Sequence, residues 1–122
     1  MTISHVQVLS LPVTDPDRAL RFYANVLGFD VVHDVDMPVG RWLQVRPPGA
    51  ETSVTLVTWF DSMPPGTLRG LVLESDDLDR DVEELGRRGV RFADGIRQEP
   101  WGRYATFADP DGNGLTLQST SV

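Results

Sequence analysis

The stretch Trp101 to Gln118, WGRYATFADPDGNGLTLQ, decides how the rest of the chain is read. Arg103 to Ala108 is aromatic and β-rich, Asp109-Pro110-Asp111-Gly112-Asn113-Gly114 is dense in turn formers, and Leu115-Thr116-Leu117-Gln118 alternates apolar with polar. Strand, tight turn and strand follow, a β-hairpin. A weaker copy lies about sixty residues upstream. There Gly40-Arg41-Trp42 followed by Pro47-Pro48-Gly49 answers Gly102-Arg103-Tyr104 followed by the Asp109 to Gly112 turn. The chain reads as a duplication.

Working outward, the first strand is expected from His5 to Val13, apolar on both faces and therefore buried. Asp15 can cap a helix that has Pro16 at its first position and Ala19, Leu20, Tyr23, Val26 and Leu27 at helical spacing, with exit at Gly28. Strands are then expected at Phe29 to Val35, Arg41 to Arg46 and Ser53 to Phe60. Asp61 to Thr67 is a breaker-rich connector, after which the order repeats. Gly70 to Glu74 is a strand and Asp76 to Gly89 a helix that Asp76 or Asp77 can cap, followed by strands from Val90 to Ala93 continuing toward Gln98, Arg103 to Ala108, and Leu115 to Ser119. The expectation is a single α+β domain spanning 1–122, made of one βαβββ module at 4–60 and another at 68–120.

Composition limits the chemistry. The chain has no cysteine, which removes disulfides, thiolate metal sites and thiol nucleophiles and leaves His5, His33 and the carboxylates as strong metal ligands. Eleven basic against eighteen acidic side chains give a formal charge of −7, which disfavours nucleic acid and anionic membrane surfaces as partners. No run reaches membrane-spanning length and the N-terminus has no basic leader, so a cytoplasmic protein is expected.

The two modules, the helix DPDRALRFYANVLG and the hairpin WGRYATFADPDGNG together resemble the vicinal oxygen chelate superfamily, which holds glyoxalase I, extradiol dioxygenases and bleomycin resistance proteins. The resemblance runs from about His5 to Gln118. It implies that each module curls its four strands into a half-barrel and that two chains pair as a two-fold homodimer. It also implies, in metal-using members, ligands on the first and last strand of each module. Those positions map here to Val8, the Leu56 region of SVTLVTW, Gly70 and Thr116. None is His, Glu or Gln, so no metal and no other cofactor is expected. His5, Gln7 and Glu74 are the candidates for a displaced ligand set, with His5 on the wrong strand parity to reach the expected position without a bulge. His33 reads as a surface or edge residue.

Alternation assigns Leu43, Val45, Leu71, Leu73, Ala105, Phe107, Leu115 and Leu117 to the helix-packed face. The opposite, concave face would carry Val8, Ser10, Leu56, Thr58 and Val72 with the candidate ligand-binding set Trp42, Gln44, Glu74, Tyr104, Thr106, Thr116 and Gln118. Trp59 falls by the same count on the helix side. Apolar and aromatic walls with a few hydroxyls and amides suit a neutral or weakly cationic organic ligand. Glu74, an acid in an apolar strand, is the best single candidate for a general base, and the preferred alternative is that it stands at the strand's exposed end. Three functions compete: metal-independent small-molecule binding of the bleomycin-resistance kind; a metal-dependent glyoxalase-like lyase or dioxygenase; and an interaction protein whose cavities have collapsed.

Overall fold

In the computed structural model, which describes residues 1–120, the chain forms eight strands and two helices in two four-stranded mixed sheets. The first module contains β1 (Val8–Pro12), α1 (Pro16–Leu20) continued by a π-helical segment (Arg21–Val26), β2 (Asp30–Met37), β3 (Gly40–Arg46) and β4 (Ser53–Val57). The second contains β5 (Leu71–Glu74), α2 (Leu78–Arg87), β6 (Arg97–Glu99), β7 (Gly102–Ala108) and β8 (Gly114–Ser119). The sheet orders are β1-β4-β3-β2 and β5-β8-β7-β6, with β1/β4 and β5/β8 parallel and the other pairs antiparallel.

Each helix begins where its cap dictates. Asp15 accepts the amides of Asp17 and Arg18 at 3.0 and 3.4 Å, with Pro16 at the first position. Asp77 accepts the Arg80 amide at 3.2 Å. Each helix is also tied to its own sheet by an arginine just after a glycine. Arg41 bonds Asp17 at 2.6 Å and clamps Asp34 at 2.8 and 2.9 Å, while Arg103 clamps Asp79 at 2.8 and 3.0 Å. Asp17 and Asp79 are the second residues of their helices, so the duplication extends to this ion pair. Hydrogen bonds from these arginines hold the Asp34 and Asp79 carboxyls below the ordinary 3.8. Their depressed values mean that the links are intact above the ordinary carboxylate range and are lost as pH falls through the folded values.

One core joins the modules. Leu11, Tyr23, Leu43 and Leu56 from the first meet Leu85, Phe107, Leu115 and Leu117 from the second, with Phe22 tilted on Phe107 at 6.4 Å. Leu43, Val45, Ala105, Phe107, Leu115 and Leu117 are buried as alternation requires, and Leu71 and Leu73 are half-buried.

The hairpin turn is the clasp between modules. Asp109 accepts the Tyr23 hydroxyl at 2.9 Å, the Asn113 side-chain amide at 2.9 Å and the backbone amides of Asp111 and Asn113. Asn113 also donates to the Pro12 carbonyl at 2.8 Å and accepts the amides of Gly66 and Leu68. Asp111 accepts the Thr14 amide and the Arg18 guanidinium. A turn legible as DPDGN therefore binds β1, α1 and the connector at once. Burial, and secondly the charge of Asp109, push the Tyr23 phenol far above its ordinary 10.0. A raised value gives stability that is present below the unfolded value and lost as pH rises toward the folded one. In an alkaline titration, one of the two tyrosines is accordingly expected to yield phenolate absorbance only as the protein unfolds. Two phenolates forming while the far-ultraviolet circular dichroism stays native would contradict the clasp.

Three expectations are corrected. β1 starts at Val8 rather than His5, and as an edge strand it leaves Leu9 exposed instead of buried on both faces. No strand runs from Val90 to Ala93: Phe92 makes a lone bridge to Phe107, a bend follows with Gly95 at φ +70°, and the edge strand is Arg97–Glu99. β4 ends at Val57, short of Phe60.

Candidate functional site

Ladder register fixes which side chains share the face turned away from the helices. In the first sheet Val8 lies opposite Ser53, Ser10 opposite Thr55, and Gln44 opposite Thr55. That face therefore carries Ser10, Trp42, Gln44, Ser53 and Thr55. Leu56 pairs with Leu11 in the core and Thr58 lies beyond the strand, so neither belongs to the outer face where alternation had put them. The cause is that Ser53 to Val57 is buried throughout, so no apolar–polar alternation marks its parity.

The polar groups on this face are fixed in advance by one another. The Trp42 indole donates to Gln44 Oε1 at 2.9 Å, Gln44 Nε2 donates to Ser53 Oγ at 2.6 Å, and Ser53 Oγ donates to the Gln7 carbonyl at 3.2 Å. The Ser10 and Thr55 hydroxyls are 3.2 Å apart. One ring face of Trp42 stacks on Trp59, centroids 6.3 Å apart and planes 25° from parallel. Trp59 thus lies beside Trp42 rather than on the helix side. Gly40 is required there, because a Cβ would come within 2.9 Å of the Trp59 ring.

In the second sheet Val72 faces Thr116, Glu74 faces Gln118, Tyr104 faces Gln118 and Thr106 faces Thr116. Glu74, Tyr104, Thr106, Thr116 and Gln118 consequently share one face, while Trp42 and Gln44 lie on the other sheet, with no shared ladder. The Thr106 and Thr116 hydroxyls are 3.4 Å apart. Trp101 stacks on Tyr104 at 5.5 Å and 17°, and is 53% exposed. Trp42 and Tyr104 hold equivalent places in β3 and β7, but their stacking partners come from different places in the modules, Trp59 from just past β4 and Trp101 from just before β7. A cavity of about 230 Å³ opens beside Tyr104 and Thr106, walled by Ala93 to Gly95 and Arg97. Arg97, paired with Asp94 at 3.3 Å, brings a cation that sequence reading did not select. Trp101 and Trp59 were also missed. Trp101 adjoins the start of β7, whereas Trp59 lies just past the end of β4.

The residues offered for catalysis or metal binding do not come together. Glu74 stands exposed at the end of β5, the alternative read for it from sequence, and accepts the Thr120 amide and hydroxyl at 3.0 and 2.9 Å, so it is no buried base. His5 is exposed against Ser4 at 2.8 Å and 4.0 Å from Glu51. Gln7 is exposed, and its carbonyl is taken by Ser53. His33 is exposed on the edge strand β2, as read from sequence. Val8 and Thr116, at two expected ligand positions, carry no strong donor, Gly70 carries no side chain, and β4 supplies only hydroxyls and aliphatics. Among the described residues no three His, Cys, Asp or Glu side chains are grouped to hold a metal ion. The donor set does not fit a transition metal.

Two mixed sheets built from repeated βαβββ modules, each with an aromatic, hydroxyl-lined face opposite its helix, define the glyoxalase and bleomycin-resistance type of fold. The chain belongs to the Glyoxalase/Bleomycin resistance protein/Dioxygenase superfamily, whose family model matches residues 2–117. It is similar to the crystal structure of TnmS3, an antibiotic binding protein from Streptomyces sp. CB03234, with 53% identity, 98% of each chain covered and a TM-score of 0.95. A glyoxalase/bleomycin resistance protein from the same organism is 50% identical, covers 93% of this chain and 99% of its own, and superposes with a TM-score of 0.86. The uncharacterized protein YetH of Bacillus subtilis (strain 168) is 32% identical over 95% of this chain and 98% of its own.

Proposed function

We propose that this protein binds a small, planar organic molecule of the antibiotic kind on its outer sheet faces, without metal and without chemistry. The observation that carries this reading is a stacked aromatic pair at each sheet, Trp42 on Trp59 and Tyr104 on Trp101, with hydrogen-bonding groups alongside. Stacked aromatics offer area and orientation, while Gln44, Thr106, Thr116 and Gln118 offer directional bonds to carbonyls and hydroxyls. The similarity to an antibiotic binding protein at 53% identity supports this substrate class. The ligand-binding set is Trp42, Gln44, Glu74, Tyr104, Thr106, Thr116 and Gln118.

Because that set is divided between two sheets, we place the complete site between two copies of the chain, in a two-fold homodimer in the cytoplasm. Among the described residues no helix is long and apolar enough to cross a membrane. Light scattering is expected to give twice the mass of one chain at micromolar concentration; a single-chain mass would remove the shared site. Function is tested by screening neutral and cationic planar aromatic compounds against tryptophan emission, with elemental analysis of the freshly purified protein alongside. Saturable quenching without a stoichiometric metal is expected. One equivalent of nickel, zinc, iron or manganese per chain, lost on mutating His5 or Glu74, would instead restore the metal-enzyme reading.

A further inference from the structure

Away from the two aromatic pairs, and sharing only Glu74 with the outer-face set, a cleft of about 380 Å³ runs between the modules beside α2, within the size range of small-molecule sites. Its floor reaches the common core through Phe29, Leu85 and Leu117, all buried, and Pro47-Pro48 forms one wall. Its rim is charged and uneven. Glu84 and Arg88 bond each other, and Arg88 also donates to the Val26 carbonyl at 2.8 Å, which closes one end and uses both charges. Glu74 and Asp81 are different. Glu74 accepts only from Thr120 among the described residues, and Asp81 accepts from the Ser75 hydroxyl at 2.6 Å. Neither carboxylate has an ion-pair partner among the described residues.

We propose that this inter-module cleft is a second binding site, one that takes an organic ammonium with an apolar body. An apolar floor disfavours a bare inorganic cation, because nothing there replaces its hydration shell, and it rewards a hydrocarbon group instead. Two unpaired carboxylates at the rim select positive charge, and a chain of net charge −7 adds to the field. The positive end of α2 opposes this. Its first-turn amide at Arg80 is already taken by Asp77, however, and a helix end amounts to about half a charge against two carboxylates. The ammonium would sit between Glu74 and Asp81, with the apolar body lying on Leu85 and Leu117.

The test uses 1-naphthylmethylamine, its neutral analogue 1-naphthylmethanol and the anion 1-naphthylacetate, titrated into the full chain and followed by amide nitrogen–proton NMR. The ammonium is expected to bind saturably, shifting amides in Val26 to Phe29 and in Asp81 to Arg88, with the neutral analogue about threefold to fivefold weaker and the anion weaker still. Asp81→Asn is expected to remove that preference, while Gln118→Ala, on the outer face, leaves it unchanged. Should Asp81→Asn fail to give a native spectrum, loss of the same preference in high salt replaces it. Equal binding of all three probes, or shifts confined to the outer faces, would overturn the cleft assignment. Either result would leave the outer-face reading standing, since Gln118→Ala and the tryptophan signal report on that site alone.

Discussion

Asn113→Ala is expected to destabilise the protein by about 3 kcal/mol, and so to lower its melting temperature by about 10 °C. Asn113 is fully buried, and its amide both donates, to Pro12 and Asp109, and accepts, from Gly66 and Leu68. Truncation leaves the Pro12 carbonyl and one Asp109 oxygen short of a donor and two connector amides short of an acceptor. Buried groups stripped of partners cost more than a satisfied bond contributes, roughly 1–3 kcal/mol each where water cannot replace the partner. Asn113→Asp separates this account from one based on volume. It keeps shape and accepting oxygens but loses both donated bonds and sets a second carboxylate against Asp109, so it is expected to be at least as damaging. Arg87→Ala, which cuts exposed pairs to Glu83 and Glu84, should fall within about 0.5 kcal/mol. Urea unfolding of the three variants checks the ranking. A loss under about 1 kcal/mol for Asn113→Ala would mean that the turn does not hold the modules together.

Once a ligand is found by tryptophan emission, Tyr104→Ala and Trp42→Ala are each expected to weaken it by roughly 1–2 kcal/mol, a factor of about five to thirty. Each change removes a stacking plane, and Trp42→Ala additionally frees Gln44 Oε1 from the indole, so the amide loses its fixed orientation. Gln118→Ala should have a smaller effect, near 1 kcal/mol, because it removes a hydrogen bond and no stacking surface. Calorimetric titration of the three variants reads the differences directly. Affinity equal to that of the parent protein in all three would remove the outer faces from the binding reaction.

How far the molecule could be read in advance depended on whether a residue's job was local. The Asp109 to Gly114 turn and the caps at Asp15 and Asp77 are short-range devices, and their chemistry names their structure. Arg41 and Arg103 stand out in sequence only as the arginines after the two repeated glycines, and their partners Asp17 and Asp79, 24 residues away in the helices, are not local. The long-range clasp of Asn113 on Pro12, 101 residues away, left no trace in local pattern. Parity failed in β4 because every side chain there is buried, and that error carried Leu56 and Thr58 onto the wrong face and Trp59 away from Trp42. The four candidate residues on β7 and β8 share a face because those strands alternate cleanly, and Glu74 on β5 pairs with Gln118. Arg97 was passed over because its strand is three residues long, too short to show a period.

The most direct measurement is a crystal structure of the protein with the tightest planar aromatic compound from the emission screen. The compound is expected to lie against the free ring face of Trp42 or Tyr104, bonded to Gln44, Thr106, Thr116 or Gln118, in a site that two chains complete. A compound bound by a metal ion at His5 or Glu74, or seated away from both aromatic pairs, would contradict this.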